Sequence, residues 1–555
     1  MAQTQDYNIS SKALFKYITK EKKDVVSIYI YAILGGLVQL SIPLGIQAIV
    51  SYVMGATMVT SLYLLIGFVV LGTFLYGVFR IKVMQIIEKI QQKIFVEFSL
   101  AYAEKLPKID LSYAKKYYLP ELVNRFFDTQ NLQKGLSKIL LEIPTALIQI
   151  TFGLLLLSFY HPWFLIFGSF VIIIVVLIFR LSMQSGIKSS IEESDHKYQV
   201  ASWLEDIALA IKTFKINSKT DIHLEGTDDR VLKYLKSRTD HFKILMFQFK
   251  AIIAFNVVLT LVMLIIGTYL LLDQKLNIGA FVATEIVLIT IMNAVEKIIK
   301  SLESYYDVIT SLAKLNKVTD LKEEYNAEIA IDRPETGIRI DFKDVNFSFN
   351  DNKPILNDLN FTVPSNSLAV ITGHQGDGKS LLLNMMAGFY EPAEGTILLD
   401  KVPYKNYNKS ALRDSIGVYM EDMRIIKGTL KENVLFGRSN ITTEEILELC
   451  EEIGLGNLSG LFSNGFYTEL SETDTELSYS SRKKILLLRA LLSKNRLLLL
   501  EDPIDGMPLF FRERFLAYLK KIKADTTIVI VSESKDIAEL ADIQLQLYNK
   551  TLRTN

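Results

Sequence analysis

Cysteine is nearly absent from this chain of 555 residues, which contains only Cys450. A single cysteine excludes an intrachain disulfide framework, and helix packing is the expected role of this one. Histidine is also scarce, and the five histidines do not have the spacing of zinc ligands. Basic and acidic side chains are equal in number, 61 of each, so net charge gives no argument for a nucleic acid partner. We therefore expect no zinc site and no nucleic acid binding.

The first 24 residues also lack the apolar core and the small-residue cleavage site of a signal peptide. Instead, Leu14, Phe15, Tyr17 and Ile18 alternate with lysines between positions 12 and 23. This pattern predicts an amphipathic helix over 1–24 that lies on an anionic membrane surface.

Long apolar stretches are abundant. Each is close to the roughly 20 residues that a helix needs to cross the hydrocarbon core, and unpaired backbone groups are too costly in lipid for any other structure. The six stretches lie at about 25–54, 58–79, 137–160, 162–179, 251–272 and 278–295. They predict an all-α, six-helix transmembrane domain over 25–317, in which the helices extend beyond the lipid.

The segments between these stretches differ in length and charge. Those at 80–136, at 180–250 and after 296 are long and rich in lysine and arginine, whereas the others are short. By the positive-inside rule, the long segments and both termini are expected in the cytoplasm of a multi-pass membrane protein.

A few polar residues interrupt the apolar stretches, among them Gln47, Glu142, Gln149, Glu285 and Asn293. A charged residue at membrane depth is costly and usually faces protein or a water-filled cavity. For Glu285 two interpretations remain open, a lining position on a transport pathway and an interhelical hydrogen bond, and the second is favoured.

A polar linker is predicted over 318–337, because this segment contains Pro334 and Gly337 among charged residues. Beyond it the apolar pattern changes to strand-like alternation, "IRIDFKDVNFSF", and then to mixed strand and helix patterns. We expect a separate α/β domain over 338–555, so that the chain as a whole is multidomain.

This second domain contains the segment "LAVITGHQGDGKSLLL", residues 368–383, in which a strand is followed by three glycines, a lysine and a serine. Backbone N–H groups of such a loop form an anion nest, the lysine reaches terminal phosphates and the serine binds Mg²⁺. The predicted cofactors are therefore ATP and Mg²⁺. The predicted nucleotide-binding residues are Gly373, His374, Gln375, Gly376, Asp377, Gly378, Lys379, Ser380 and Leu381.

With these motifs the chain resembles an ABC transporter half of the type I exporter kind over essentially its whole length. Residues 416–437 resemble the Q-loop segment, "LSYSS" at 477–481 resembles the signature, "LLLLED" at 497–502 resembles Walker B, and "TTIVIVSES" at 526–534 resembles the switch strand. The resemblance implies a P-loop ATPase domain with Phe349 stacked on adenine.

The resemblance also implies where the protein acts and with what. Residues 106–128 and 201–215 would form coupling helices. The expected location is the plasma (inner) membrane, with the nucleotide-binding domain cytoplasmic. The expected partners are the lipid bilayer, a second half-transporter in a homodimer or heterodimer, and secretion-system proteins, because the membrane half resembles the protein- and toxin-secretion branch of exporters.

Several positions depart from the pattern of this family. Glu421 stands where glutamine is expected, Glu533 replaces the switch histidine, and Glu501 and Asp502 exchange the usual order of aspartate and glutamate. The predicted catalytic residues are thus Asp502, Glu501, Glu421 and Glu533, with Ser380, Glu501 and Glu421 at the metal. The predicted signature residues, which lack the two family glycines, are Leu477, Ser478, Tyr479, Ser480 and Ser481.

Two functions fit these departures. One is an ATP-binding exporter half with weakened hydrolysis, acting as a dimer on an unidentified substrate. The other is a catalytically poor, ATP-gated structural or regulatory half in a heteromeric transport or secretion assembly. Tolerated substitutions in an ordinary ATPase remain an alternative to both. An importer subunit is disfavoured because importers in this family usually have separate membrane chains, and a leader-processing transporter because no peptidase-like segment precedes the first apolar stretch.

Overall fold

The computed structural model describes residues 14–15, 17–55, 60–114, 118–329, 336–349, 354–456, 460, 462, 464–471, 477–492 and 495–554. Most of the predicted N-terminal helix over 1–24 and part of the predicted linker over 318–337 lie outside the described residues. The chain divides into two compact units, one made of Met1–Lys108 and Tyr117–Leu321 and the other of Ile109–Lys116 and Lys322–Asn555.

The first unit is built from helices. Among the described residues, six helical segments are long and apolar enough to cross a membrane, as the sequence predicts. The helices of this unit are α1 Lys22–Gln39, α2 Ser41–Met54, α3 Thr60–Lys105, α5 Leu119–Asn124, α6 Asp128–Tyr160, α7 Trp163–Leu209, α8 Ile211–Ile216, α9 Ile222–Leu272 and α10 Ile278–Thr319.

Helices α1 and α2 together form one span, interrupted at Leu40. Pro43 has no N–H to donate to the carbonyl of Gln39, so the ladder of hydrogen bonds is broken at this point. The other long helices continue well past their apolar stretches. In α3, for example, Ile87, Ile90 and Ile94 are buried on one face, which is the helical period expected of an amphipathic extension.

Glycines allow close packing of α10 on α6. A Cβ atom added at Gly135 would lie 2.7 Å from Cγ2 of Val308 and 3.0 Å from the carbonyl oxygen of Ser304. A Cβ atom at Gly153 would lie 2.8 Å from Cγ1 of Ile291. Small residues that let two helices approach are characteristic of packing between membrane helices.

Glu142 and Glu285 have different surroundings in this bundle. The carboxylate of Glu142 lies 3.9 Å from Nζ of Lys297. Atom Oε1 of Glu285 is buried and has no hydrogen-bond partner among the described residues, so the favoured expectation of an interhelical hydrogen bond is wrong for this oxygen. The buried neighbours Val287 and Leu288 on α10 are aliphatic and offer no donor, and the hydroxyl of the buried Thr284 donates to the carbonyl of Phe281 instead.

The second unit contains a six-stranded sheet in the order β12-β11-β3-β10-β9-β6, a four-stranded sheet in the order β2-β1-β4-β5, and the pair β7-β8. Strands β6, β9, β10, β3 and β11 are parallel, and the four-stranded sheet is antiparallel. The strands are β1 Ile340–Phe347, β2 Leu356–Val363, β3 Leu368–Gly373, β4 Glu394–Leu399, β5 Val402–Pro403, β6 Ile416–Tyr419, β7 Gly428–Thr429, β8 Glu469–Leu470, β9 Leu497–Glu501, β10 Thr527–Val531, β11 Ile543–Tyr548 and β12 Thr551–Thr554.

Helices surround these sheets, and two clusters of buried apolar side chains form the core. Strands β3, β9 and β10 are continuous apolar runs because a parallel sheet is covered on both faces. The helices of this unit are α4 Leu111–Ala114, α11 Lys379–Met386, α12 Lys409–Arg413, α13 Leu430–Leu435, α14 Thr443–Glu452, α15 Tyr479–Leu491, α16 Leu509–Ile522 and α17 Lys535–Leu540.

One part of the predicted coupling segment 106–128 belongs to this second unit. Ile109 forms a β-bridge with Glu323, and the backbone N–H of Asp110 donates to the carbonyl of Lys322. Leu111 packs against one of the two apolar clusters. The other predicted coupling segment, 201–215, belongs to the first unit.

We predict that Gly135→Ala lowers the melting temperature of the chain, because the new methyl group overlaps Val308 and overpacking costs on the order of 1–3 kcal/mol. Gly77→Ala is the matched control, since a Cβ atom there meets nothing within 4 Å. Thermal unfolding of both variants in the same detergent measures the difference. Equal melting temperatures would show that the helices do not pack at Gly135 as described.

Candidate functional site

The segment from the last residue of β3 to the second residue of α11, residues 373–380, is called the glycine loop below. Gly376 and Gly378 have φ values of +91° and +101°, which glycine adopts at little cost. The loop leads directly into the first turn of α11, whose N–H groups have no partners within the helix. Such a turn has the geometry of an anion-binding loop.

The side chain of Lys379 donates hydrogen bonds to the backbone at the start of the glycine loop. Its Nζ donates to the carbonyl oxygens of Gly373 and, at 3.2 Å, of His374. The same Nζ lies 3.4 Å from Oε1 of Glu533, and this oxygen also accepts a 3.0 Å hydrogen bond from the N–H of Gly373. The carboxylate of Glu533, two residues after β10, therefore lies against the glycine loop.

The remaining loop residues differ in exposure. The carboxylate of Asp377 accepts from the backbone N–H of His374 at 2.9 Å, which holds the turn from inside. The imidazole of His374 contacts the ring of Tyr548 edge-on, and Gln375 is exposed at the tip. The side chain of Leu381 is buried in the core, so only its backbone N–H remains available to a ligand.

Glu501, the last residue of β9, contacts the glycine loop. Its Oε1 accepts a hydrogen bond from Oγ of Ser380, and its Oε2 accepts one from the backbone N–H of Glu421 at 3.2 Å. Glu421 follows β6, and its own side chain is exposed. The carboxyl ends of β6 and β9 thus meet the loop at one edge of the sheet, which is where ligands bind in open α/β sheets.

The oxygen donors at this edge suit Mg²⁺. A serine hydroxyl and one carboxylate are hard ligands, and Mg²⁺ in phosphate sites is held by one or two such groups together with substrate phosphates. No group of three or more acidic, histidine or cysteine side chains among the described residues could hold a metal by itself. Ser380 and Glu501 therefore fit a metal that arrives with a nucleotide.

Asp502 has a different environment from its neighbour. Its φ of +41° lies in the left-handed region, and its N–H donates to the carbonyl of Val531 at 2.8 Å. Partial burial, assisted by the charges of Asp505 and Glu501, raises the pKa of the Asp502 carboxyl above its ordinary value. Asp502 therefore does not share the contact that Glu501 makes with Ser380.

Lys483 is a residue of this site that the sequence did not single out. It is only 3% exposed, and its Nζ donates to the carbonyl oxygens of Asp502 at 2.6 Å and of Asp505 at 2.7 Å. Burial lowers the pKa of the Lys483 ammonium group. Its spacing of three and four residues from Leu486 and Leu487 places it on the buried face of α15, which is the signal that could have found it.

The predicted signature residues begin helix α15. Ser478 caps the helix by accepting from the N–H of Ser481 at 3.0 Å, while Leu477 is buried. Tyr479 is 61% exposed, and Ser480 is partly buried. Desolvation and the carboxylate of Glu421 raise the pKa of the Tyr479 hydroxyl, so the signature tyrosine and the exposed acid are neighbours.

Phe349 lies apart from these contacts. Its ring packs against Phe347 with 4.8 Å between centroids and against Tyr390 with 5.5 Å. None of the ring contacts found for Phe349 within the described residues involves the glycine loop. Its predicted stacking on adenine stays a prediction.

Comparisons with known proteins agree with this architecture. Residues 25–295 match the family "ABC transporter transmembrane region", and residues 356–505 match the family "ABC transporter". These two matches together cover about three quarters of the chain.

Three similar proteins illustrate the relationship. The lactococcin-A transport/processing ATP-binding protein LcnC of Lactococcus lactis is 23% identical over 97% of this chain and 75% of its own length. The uncharacterized ABC transporter ATP-binding protein YknV of Bacillus subtilis is 26% identical over 52% of this chain and 48% of its own length. A structure of a bacterial Atm1-family ABC exporter with ATP bound has a TM-score of 0.84 at 18% identity and covers 96% of this chain and 94% of its own.

The Atm1-family structure shows that the chain has the exporter fold, with six membrane helices followed by a P-loop domain. The two family matches and the alignment to LcnC over 97% of this chain show that the sequence is similar to this family as well. The chain belongs to the ABC transporter family and is homologous to its exporter-type half-transporters.

Proposed function

We propose that this chain binds MgATP and acts as half of a dimeric exporter in which hydrolysis of ATP is slow. Nucleotide binding is supported by the glycine loop, where Gly376 and Gly378 have the required backbone conformation and Lys379 and Ser380 follow them. The metal would bind between Ser380 and Glu501, whose side chains already contact each other.

The main observation that supports slow hydrolysis is the placement of Glu501 and Asp502. Glu501 contacts Ser380, and Asp502, the acid that would orient or activate water, is one methylene shorter than the glutamate of the family. A misplacement near 1 Å can cost on the order of 10²-fold in rate.

The two other acids act in the same direction. Glu533 stands where the family has a histidine, so it supplies no positive donor to a developing charge, and loss of such a donor costs on the order of 10²–10³-fold. Its contact with Lys379 also opposes the phosphates that the lysine would bind. Glu421 adds a further carboxylate beside Tyr479.

Tyr479 favours a second candidate function, a catalytically poor, ATP-gated half in a heteromeric transport or secretion assembly. In a nucleotide-bound dimer of this family the signature of one half covers the nucleotide of the other, and an exposed tyrosine replaces a glycine there. The acids of this chain would then impair the nucleotide site that contains Glu501, and Tyr479 would impair the nucleotide site of the partner. Phosphate release by the full chain in lipid nanodiscs tests this directly, since turnover equal to that of ordinary exporters excludes both proposals of weak hydrolysis.

We further propose a peptide as cargo, supported by the relative named for lactococcin-A transport and processing. The chain would lie in the plasma (inner) membrane, with both termini and the nucleotide-binding domain cytoplasmic, as the positive long segments favour. Its partner would be a second half-transporter, identical or different, and secretion-system proteins would join the assembly.

The first prediction from this proposal concerns the acid order. Glu501→Asp combined with Asp502→Glu should raise phosphate release by roughly 10²-fold, because the longer acid regains its reach to water. Glu501→Asp alone is the matched control and should give no comparable gain, since Asp502 stays short. Lys379→Ala in the double variant should abolish the new activity. An unchanged rate in the double variant would mean that the acid order does not limit chemistry.

The pH dependence follows from the raised pKa of Asp502. A carboxyl whose pKa is raised stays protonated to higher pH, and only its ionised form accepts a proton from water. The rate of hydrolysis should therefore increase as pH rises through this pKa and then level off. Asp502→Asn should remove this part of the profile, and a profile identical to that of the unmodified chain would contradict a base role.

Glu533 is predicted to weaken ATP binding. Glu533→Gln removes the charge beside Lys379, but this carboxylate is 64% exposed, so the gain should be limited to about two- to fivefold tighter binding. Asp536→Asn is the control, since it removes the same charge three residues later and makes no ion pair with Lys379. Equilibrium binding of a fluorescent ATP analogue measures both. Equal affinities of the two variants would show that the contact with the glycine loop does not compete with nucleotide.

A further inference from the structure

A polar pocket lies in the first unit, between parts of α6, α7, α9 and α10 outside the apolar stretches. It encloses about 130 Å³, which is room for several water molecules or for one small ligand. Four carboxylates line it, Asp128, Glu193, Glu303 and Asp307, together with the cations Lys197 and Arg238 and the imidazole of His241.

The two cations are already paired with two of the acids. Nζ of Lys197 lies 3.6 Å from Oδ1 of Asp128, and Nη1 of Arg238 lies 3.1 Å from Oε1 of Glu193.

The other two carboxylates of the pocket belong to α10. Glu303 and Asp307 stand one helical turn apart and form no ion pair within the part of the chain that the structure describes. Like charges four residues apart on a helix repel each other. The pocket therefore holds an excess of negative charge in two neighbouring carboxylates.

Ser194 provides a second and independent sign of a ligand. This residue lines the pocket, is 8% exposed, and its buried Oγ has no hydrogen-bond partner among the described residues. A buried hydroxyl without a partner costs free energy, and most are satisfied in native proteins.

Two other serine hydroxyls nearby on α7 are satisfied. Oγ of Ser189 lies 2.8 Å from Nδ1 of His241, and Oγ of Ser190 lies 2.8 Å from Oγ1 of Thr310. The unpartnered hydroxyl of Ser194 thus differs from the two serine hydroxyls nearest to it on α7.

The chemistry of the lining selects the kind of ligand. Direct chelation of a metal is disfavoured, because no group of three or more acidic, histidine or cysteine side chains in the described parts of the chain is arranged to hold one. Carboxylates and a hydroxyl are instead good acceptors for a positively charged group with several N–H donors, and charge-assisted hydrogen bonds are the strong ones.

We propose that this pocket binds an organic ammonium group through Glu303, Asp307 and Ser194, carried either by a free diamine or by a lysine side chain of a peptide. The ammonium would neutralise the paired carboxylates of α10 and supply the donor that Ser194 lacks. This proposal goes beyond MgATP binding and does not depend on it, since every residue involved lies in the first unit.

Calorimetric titration of the full chain in nanodiscs, without nucleotide and at constant ionic strength, tests the proposal with 1,4-diaminobutane as the probe. Saturable binding is expected. Glu303→Gln combined with Asp307→Asn should weaken it at least about tenfold, because two charge-assisted hydrogen bonds are lost. Asp240→Asn is the matched control, since this exposed acid pairs with Lys243 at 2.7 Å and does not line the pocket, and it should leave binding unchanged.

Ser194→Ala gives a milder test in case the double variant fails to fold, and it should weaken binding by about threefold. Two further probes identify the source of the ammonium. Competition by Nα-acetyl-lysine amide would point to a peptide side chain, and binding of the diamine alone would point to a free amine.

Absence of saturable binding to the unmodified chain would overturn the proposal, and so would equal affinity of the pocket variants and the Asp240→Asn control. A site that takes Mg²⁺ and not the diamine would overturn the assignment to an ammonium group. Because nucleotide is left out, none of these outcomes bears on the proposed slow hydrolysis of ATP.

Discussion

The hydrogen bond between Ser380 and Glu501 fixes the organisation of the candidate site, because it joins the glycine loop to the end of strand β9 in the six-stranded sheet. The other oxygen of Glu501 accepts from the backbone of Glu421, which follows the adjacent strand β6. One carboxylate thus links three segments that are far apart in sequence. The parallel sheet makes this link available, since the carboxyl ends of its strands lie at one edge.

The hydrogen bond between Ser380 and Glu501 also restricts the position of the next residue, Asp502. Glu501 points to Ser380, and the backbone of the next residue, Asp502, has a left-handed conformation. The ammonium group of Lys483 fixes this turn by donating to the carbonyls of Asp502 and Asp505. A buried lysine on two carbonyl oxygens makes this turn difficult to rearrange. Asp502 therefore has little freedom to compensate for its shorter side chain by moving its backbone, and this restriction supports the proposal that the order of the two acids slows hydrolysis.

Sequence reasoning reached the fold and the glycine loop because both depend on local patterns. The apolar stretches have membrane length, and the spacing of Gly373, Gly376, Gly378 and Lys379 is specific to a phosphate loop. The resemblance placed Glu533 at the nucleotide site but not its hydrogen bond to Gly373, since that contact requires the pairing of β10 with β3. The unpartnered oxygen of Glu285 was likewise missed, because satisfaction of a buried group depends on neighbours from other helices.

An excess of carboxylates is common to the nucleotide site and to the polar pocket of the first unit, although the chain as a whole is neutral. At the glycine loop Glu421, Glu501, Asp502 and Glu533 outnumber Lys379 and Lys483, and a triphosphate would add further negative charge. In the proposed complex with MgATP, the divalent cation would then supply a larger part of the compensating charge than in a site with glutamine and histidine at 421 and 533. If the chain binds MgATP as proposed, we therefore expect its affinity for the nucleotide to depend strongly on Mg²⁺.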